Sequence, residues 1–229
     1  MTEEGQGPNI EDMLETGDAA TPPEEGANVG TAMDLYSRQA EMTPDDVYIP
    51  NLRLAQGLTP EVQSGEARPG QWLIVGFDPV PEVTVVPVAF FKRRELRDDA
   101  TREVKCKSMD SINGVGDPGG VCEVCPMSQW TGTDETGRKP PACSFSYEYV
   151  VFSDTHRCLA TLKFAKTALR AGKVLNTVIA QGGLGNIAVR LKADAKQTQR
   201  GSFFSPQVVP AKVEAGVLEE ARNRFEEVV

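Results

Sequence analysis

The chain is poor in the residues that most chemistry needs. Its 229 residues include a single histidine, His156, and five cysteines. One histidine excludes multi-histidine metal sites and most nucleophilic triads. Five cysteines, an odd and small number, do not make the disulfide framework of a secreted scaffold. No stretch reaches the about 18 consecutive apolar residues of a membrane span, so no membrane role is expected. The opening residues MTEEGQGPNIEDML have neither a basic n-region nor an apolar h-region. Export through a signal peptide is therefore not expected, and a reducing cytoplasm is. Carboxylate pairs are missing from the expected strand ends; Asp154 reads as a turn residue and Asp194 as solvent-facing. Gly182-Gly183-Leu184-Gly185 lacks a G-K-[ST] ending and follows a helix, so it reads as a helix stop rather than a phosphate loop. The expectation is a protein that is not an enzyme.

Charge divides the chain. Residues 1–46 carry twelve acids and one base (−11), residues 213–229 five acids and two bases (−3), and the middle, 47–212, is +5. Acidic ends can simply keep a protein soluble. They can also compete with a polyanion for the basic middle, or recruit partners.

Residues 1–30, rich in Glu, Gly, Pro, Ala and Thr, lack the apolar content to offset the entropy of ordering, and disorder is expected there. A short helix is expected over 31–41. From Val47 the pattern is that of a folded core. Strands are expected at 71–75 and over 82–96 (EVTVVPVAFFKRREL), where Pro87 marks an edge or a bulge. After a Gly/Pro-rich insertion, 98–143, strands return at 144–153 and 157–165 as a hairpin. A helix follows over 167–181, with apolar residues at 169, 174, 175, 178 and 179. Two more strands, 187–196 and 203–211, and an amphipathic acidic helix over 213–229 complete the chain. From residue 82 the element order is that of an OB-fold, a five-stranded barrel with its helix between strands 3 and 4. The expected organisation is thus an acidic segment 1–46, a mainly β, OB-like core 47–212 carrying the insertion, and a C-terminal helix.

The insertion holds the strongest chemical signal. Cys106, Cys122, Cys125 and Cys143 are spaced C-x15-C-x2-C-x17-C. The Cys122-Glu-Val-Cys125 knuckle lets two thiolates turn toward one ion. The surrounding segment has too little apolar content for a core of its own, which a tetrahedral Zn2+ would replace. Four protein ligands leave no open position, so such a metal is structural. A redox or iron-sulfur site and free thiols are the alternatives, and His156 is an alternative ligand. Cys158 falls in the apolar alternation 158, 160, 162, 164 and reads as core.

Cations gather at the rims of the expected barrel: Arg93 and Arg94 at the end of its first strand, Lys105 and Lys107 beside Cys106, Arg138 and Lys139 before Cys143, Lys163 on its third strand, and Arg190, Lys192, Lys196 and Arg200 on its fourth strand and the following loop. Trp130, Tyr147, Tyr149 and Phe203 are interleaved with them. Cations on phosphates and rings on bases are how unpaired strands are held. The competing reading is that strand aromatics fill a core and strand lysines face solvent. In 144–153, Phe145, Tyr147, Tyr149 and Val151 share one face, Val150 and Phe152 the other; at least one face is core. Trp130, in the polar insertion, is the strongest stacking candidate.

The sequence CEVCPMSQW…PPACSFSYEYVVF between acidic ends resembles the single-stranded-DNA-binding proteins of phage replication modules, some of which carry zinc within an OB-fold. The resemblance implies single-stranded DNA as partner, a role in replication or recombination in a host cytoplasm, and recruitment of replication proteins through the acidic ends. It is imperfect: the zinc-containing members include a histidine ligand, and the C-terminus here is a short amphipathic helix rather than an acidic tail. Two other functions are compatible with the residues: a zinc-stabilised interaction or virion-associated structural protein, and a transcription cofactor that grips a polymerase.

Overall fold

A computed structural model describes residues 47–133, 137–198 and 201–228. The expected disorder over 1–30 and helix over 31–41 lie outside the described residues. Along the chain run β1 (Asn51–Leu54), a single helical turn α1 (Pro60–Gln63), β2 (Trp72–Ile74), β3 (Val83–Arg97), β4 (Val104–Ser108), β5 (Asn113–Gly116), β6 (Gly120–Val121), β7 (Ser144–Ser153), β8 (Cys158–Ala165), α2 (Leu169–Gly182), β9 (Ala188–Thr198), β10 (Gly201–Ala211) and α3 (Ala215–Glu226). The protein is mainly β.

The fifteen-residue β3 is the hub, long enough to pair with three other strands. One edge pairs antiparallel with β7 from Val85 to Glu95. The other edge pairs with β9 at Val83–Val85 and with β4 at Arg94–Arg97. Pro87, which has no N–H to give a ladder, sits where the β3–β7 register shifts, between Pro87 and Ala89. It marks a bulge in a central strand, not an edge. β7 and β8 form the expected hairpin, and β9 and β10 pair from Ala188 to Thr198.

Closure departs from the expectation. A five-stranded barrel needs its third and fifth strands, here β8 and β10, to pair. No such ladder joins them among the described residues. Instead the short β1 lies parallel to β8 at Asn51 and Leu52, with β2 antiparallel beyond it, giving an open mixed sheet. The Gln56 side chain partly bridges the gap, donating to the Phe204 carbonyl (2.8 Å) and accepting from the Phe204 N–H (2.9 Å). Residues 51–54 take the edge of β8 that the barrel would have used.

Both faces of β7 are buried, which is why its sequence is nearly continuous in large residues. Tyr149 and Val151 belong to the main core with Trp72, Leu162, Phe164 and Leu175. Val150 and Phe152 belong to a second core, roofed by α3 through Ala221, Val217, Leu218 and Phe225. The apolar stripe of α3 is thus spent within the chain, while Glu219, Glu226 and Glu227 face outward. Arg222 fastens the helix by donating to the Gly185 carbonyl (2.8 Å).

Helix α2 buries Ala171, Gly172 and Leu175 and leaves Val174 exposed. Of the expected stripe Leu175, Val178 and Ile179 pack on the main core and Val174 does not, and Gly172 is a point of close approach. A Cβ there would lie 2.6 Å from the Tyr147 ring. The approach lets the Tyr149 hydroxyl donate to the Asn176 Oδ1 (2.7 Å), with the Gly172 carbonyl 3.0 Å away. Burial drives the Tyr149 phenol well above its ordinary value of 10. The folded state keeps that proton while the unfolded state releases it above about pH 10, so stability falls as pH rises through that value. Tyr149→Phe is expected to cost about 1–2 kcal/mol at neutral pH and to flatten the alkaline decline, as read from urea midpoints between neutral and alkaline pH.

Candidate metal centre and nucleic-acid interface

The insertion is more ordered than its composition suggests. β4 carries Cys106 between Leu96 of β3 and Gly116 of β5. The knuckle is held by backbone bonds, Cys122 N–H to the Ile112 carbonyl and Cys143 N–H to the Met127 carbonyl, both 2.8 Å. The Ser128 hydroxyl bonds the carbonyls of Cys122 and Cys125. Cys106, Cys122, Cys125 and Cys143 all line one small cavity. Three of them are buried and Cys125 is half-buried. Burial is the main cause that pushes the Cys143 thiol up; the nearby Arg94 opposes it, and the three other sulfurs add to it. Gly114 makes room for the cluster, since a Cβ there would lie 2.9 Å from the Cys106 Sγ.

As the side chains stand, no three His, Cys, Asp or Glu groups among the described residues are arranged as a metal-binding set. The convergence is of four thiols on one cavity, and four thiols are a donor set that suits Zn2+. His156 is placed elsewhere. It lies in the turn after β7, whereas Cys143 precedes the other end of that ten-residue strand. At about 3.3 Å per residue they are some 30 Å apart along the chain direction, and His156 instead packs on Phe77, ring centroids 5.0 Å apart. Cys158 packs against the main core as expected.

Next to the insertion a groove of about 520 Å³ runs across β3, β4, β7 and β8. It brings together Arg93, Arg94, Lys105, Lys107 and Lys163, drawn from three strands. Five cations face two lining carboxylates, Glu95 and Glu148, for a net charge of +3. Glu148 organises the floor. Its carboxylate pairs with Arg93 at 2.9 Å and with Lys163 at 2.8 Å. Sequence reasoning missed it, although the hairpin register sets Glu148 directly opposite Lys163. Lys105 pairs with Asp98 at 2.7 Å, and that contact, with two backbone N–H bonds, holds the Asp98 carboxyl far below its ordinary range. Arg93 lies over the Phe91 ring and Arg94 over the Phe145 ring. The apolar side chains of Val104, Met109 and Val115 complete the groove.

The remaining candidates divide. Trp130 is 65% exposed. Lys139 is exposed beside it, with its backbone paired to Thr131, and Arg138 is exposed too. Tyr149 is a correction: at 1% exposure and with its hydroxyl engaged by α2, it is core and cannot stack on a base. Tyr147 is half-buried against Phe145 and Phe90. Arg190 and Lys192 both pair with Glu82 at 3.4 Å and line neither the groove nor the cysteine cavity. Lys196, opposite the half-buried Phe203 on the β9–β10 hairpin, pairs with Asp194 at 2.6 Å. Arg200 lies outside the described residues. The trough is therefore built by the insertion side of the sheet, and the β9 cations are not part of it.

No protein-family model matches the chain, and neither a curated protein nor a solved structure gives a significant match. Among the described residues, no helix is long and apolar enough to cross a membrane.

Proposed function

We propose that this chain binds single-stranded DNA with little sequence preference, as a non-enzymatic protein of phage replication or recombination. In this reading Cys106, Cys122, Cys125 and Cys143 hold a Zn2+ that fixes the insertion. The ion supplies folding free energy and no chemistry on a substrate. The observation that carries the reading is the meeting of Arg93, Arg94, Lys105, Lys107 and Lys163 in one groove, from positions up to 70 residues apart in sequence. An exposed Trp130 on the adjoining insertion adds a stacking platform. Cations that track phosphates, together with a ring that accepts any base, favour affinity without sequence readout. The pairing of β3 with β7 and β9, of β7 with β8 and of β9 with β10 supports an OB-like ancestry for the sheet, with β1 inserted where a barrel would close. The acidic outer face of α3 remains available to replication partners.

Trp130→Ala tests the reading. Affinity for oligo-dT should fall about tenfold with the thermal melt unchanged, since one stacked base is worth about 1–3 kcal/mol. A duplex of the same length should compete poorly. An unchanged affinity removes Trp130 from the interface.

A second reading has its own observation. Ile112, Val115, Val124 and Met127 are exposed on the same insertion as Trp130, and such apolar surface also suits a protein partner. A failure to bind oligo-dT at low salt would favour that reading.

A further inference from the structure

A Zn2+ ion held by four thiolates keeps a surplus of two negative charges. The cavity that the four cysteines share is otherwise lined by Leu96, Gly114, Pro118, Gly119, Met127 and Ser128, none of which is charged. Surplus charge in a largely buried site is costly unless an opposite charge lies close.

Register places one there. Arg94 on β3 stands directly opposite Phe145 of β7 and Ser108 of β4. These two residues follow Cys143 and Cys106 by two positions. Leu96, on the same face of β3 as Arg94, packs with both of those cysteines. Cys106 is therefore the diagonal cross-strand neighbour of Arg94, a separation of about 7–8 Å that a long side chain spans. The Arg94 charge is felt at Cys143. Two contacts hold the guanidinium: its Nε donates to the Ser111 Oγ (3.1 Å), and it lies over the Phe145 ring, 5.4 Å from the centroid. Ser111 precedes Ile112, whose carbonyl accepts the Cys122 N–H. Arg93, Lys105 and Lys163 each pair with a carboxylate. Arg94 is half-buried and pairs with none among the described residues, so no carboxylate offsets its charge.

We propose that Arg94 is the counter-charge of the zinc–thiolate cluster, a positioning residue outside the ligand set that raises the affinity of Cys106, Cys122, Cys125 and Cys143 for Zn2+. This rests on the zinc reading above and extends it from the four ligands to the group that offsets their charge.

Competition for Zn2+ between the full chain and a chromophoric chelator tests the assignment. Arg94→Gln, which keeps a side-chain donor beside Ser111, should weaken Zn2+ binding about 10- to 100-fold, as loss of a group that supports metal ligands does. Arg94→Lys keeps the charge and gives up the planar stack on Phe145, and should restore most of that loss. Wild-type Zn2+ affinity in Arg94→Gln, or a loss that Arg94→Lys fails to restore, would overturn the counter-charge role and leave the zinc site standing. A wild-type chain that takes up no Zn2+ would overturn both.

Discussion

Arg93→Gln, Lys107→Gln and Lys163→Gln combined will weaken oligo-dT binding by about 100-fold at about 0.1 M salt. The magnitude follows from counterion release. Each phosphate neutralised on a single strand contributes about −0.7 to the slope of log affinity against log salt. Five groove cations give a slope of about −3.5, and the two left in the variant about −1.4. The slope is the sharper readout, because misfolding lowers affinity without changing the slope in proportion. Glutamine is the substitution of choice since Glu148, whose side chain is 19% exposed and pairs with both Arg93 and Lys163, keeps amide donors beside it. A variant toward the start of β3, Arg190→Gln with Lys192→Gln, should leave the slope near the wild-type value, since that pair lies outside the groove and faces Glu82.

Cys122→Ser with Cys125→Ser should have the second large effect. Mass spectrometry should find about one zinc per wild-type chain and none in the variant, as expected for a four-thiolate site losing half its ligands. The damage should stay local. The main core is formed by Trp72, Tyr149, Phe164, Leu175 and their neighbours, none of them in the insertion. The cysteine region has its own small cluster, Leu96, Cys106 and Cys143. Limited proteolysis should therefore cut between residues 98 and 143 while the remainder resists. Because Lys105, Lys107 and Trp130 ride on that segment, oligo-dT affinity should fall at least as far as in Trp130→Ala. A metal-free wild-type protein whose melt ignores chelators would remove zinc from the account.

Much of the fold was legible because it is written in local patterns. The alternation in 144–153 and 157–165, with Asp154-Thr155 between, located the β7–β8 hairpin, and Pro87 pointed to an edge or a bulge, of which β3 has the bulge. Closure was not legible. It depends on whether β10 or the distant segment 51–54 takes the edge of β8, a choice between two non-local pairings that no local pattern encodes. The strands β4 to β6 escaped notice because Gly- and Asp-rich segments such as Asn113–Gly116 have low strand propensity; they are held by pairing to β3 and by the cysteines around them. For the site, spacing singled out four cysteines that line one cavity, and polar surroundings singled out Trp130, which is exposed. Tyr149 was misread because alternation alone cannot distinguish a ring that faces helix α2 from one that faces solvent. The cations were readable only as a list. Which of them share a groove follows from register, which set Lys163 opposite Glu148, with Arg93 pairing to the same carboxylate, and left Arg190 and Lys192 at the start of β3 beside Glu82.

The central claim is that unpaired DNA is held by the groove of Arg93, Arg94, Lys105, Lys107 and Lys163. Its most direct test is the anisotropy of a labelled oligo-dT titrated with the full chain across a series of salt concentrations. The account predicts saturable binding at low salt, with log affinity falling linearly against log salt at a slope of about −3.5. No binding at low salt, or an affinity indifferent to salt, would contradict it.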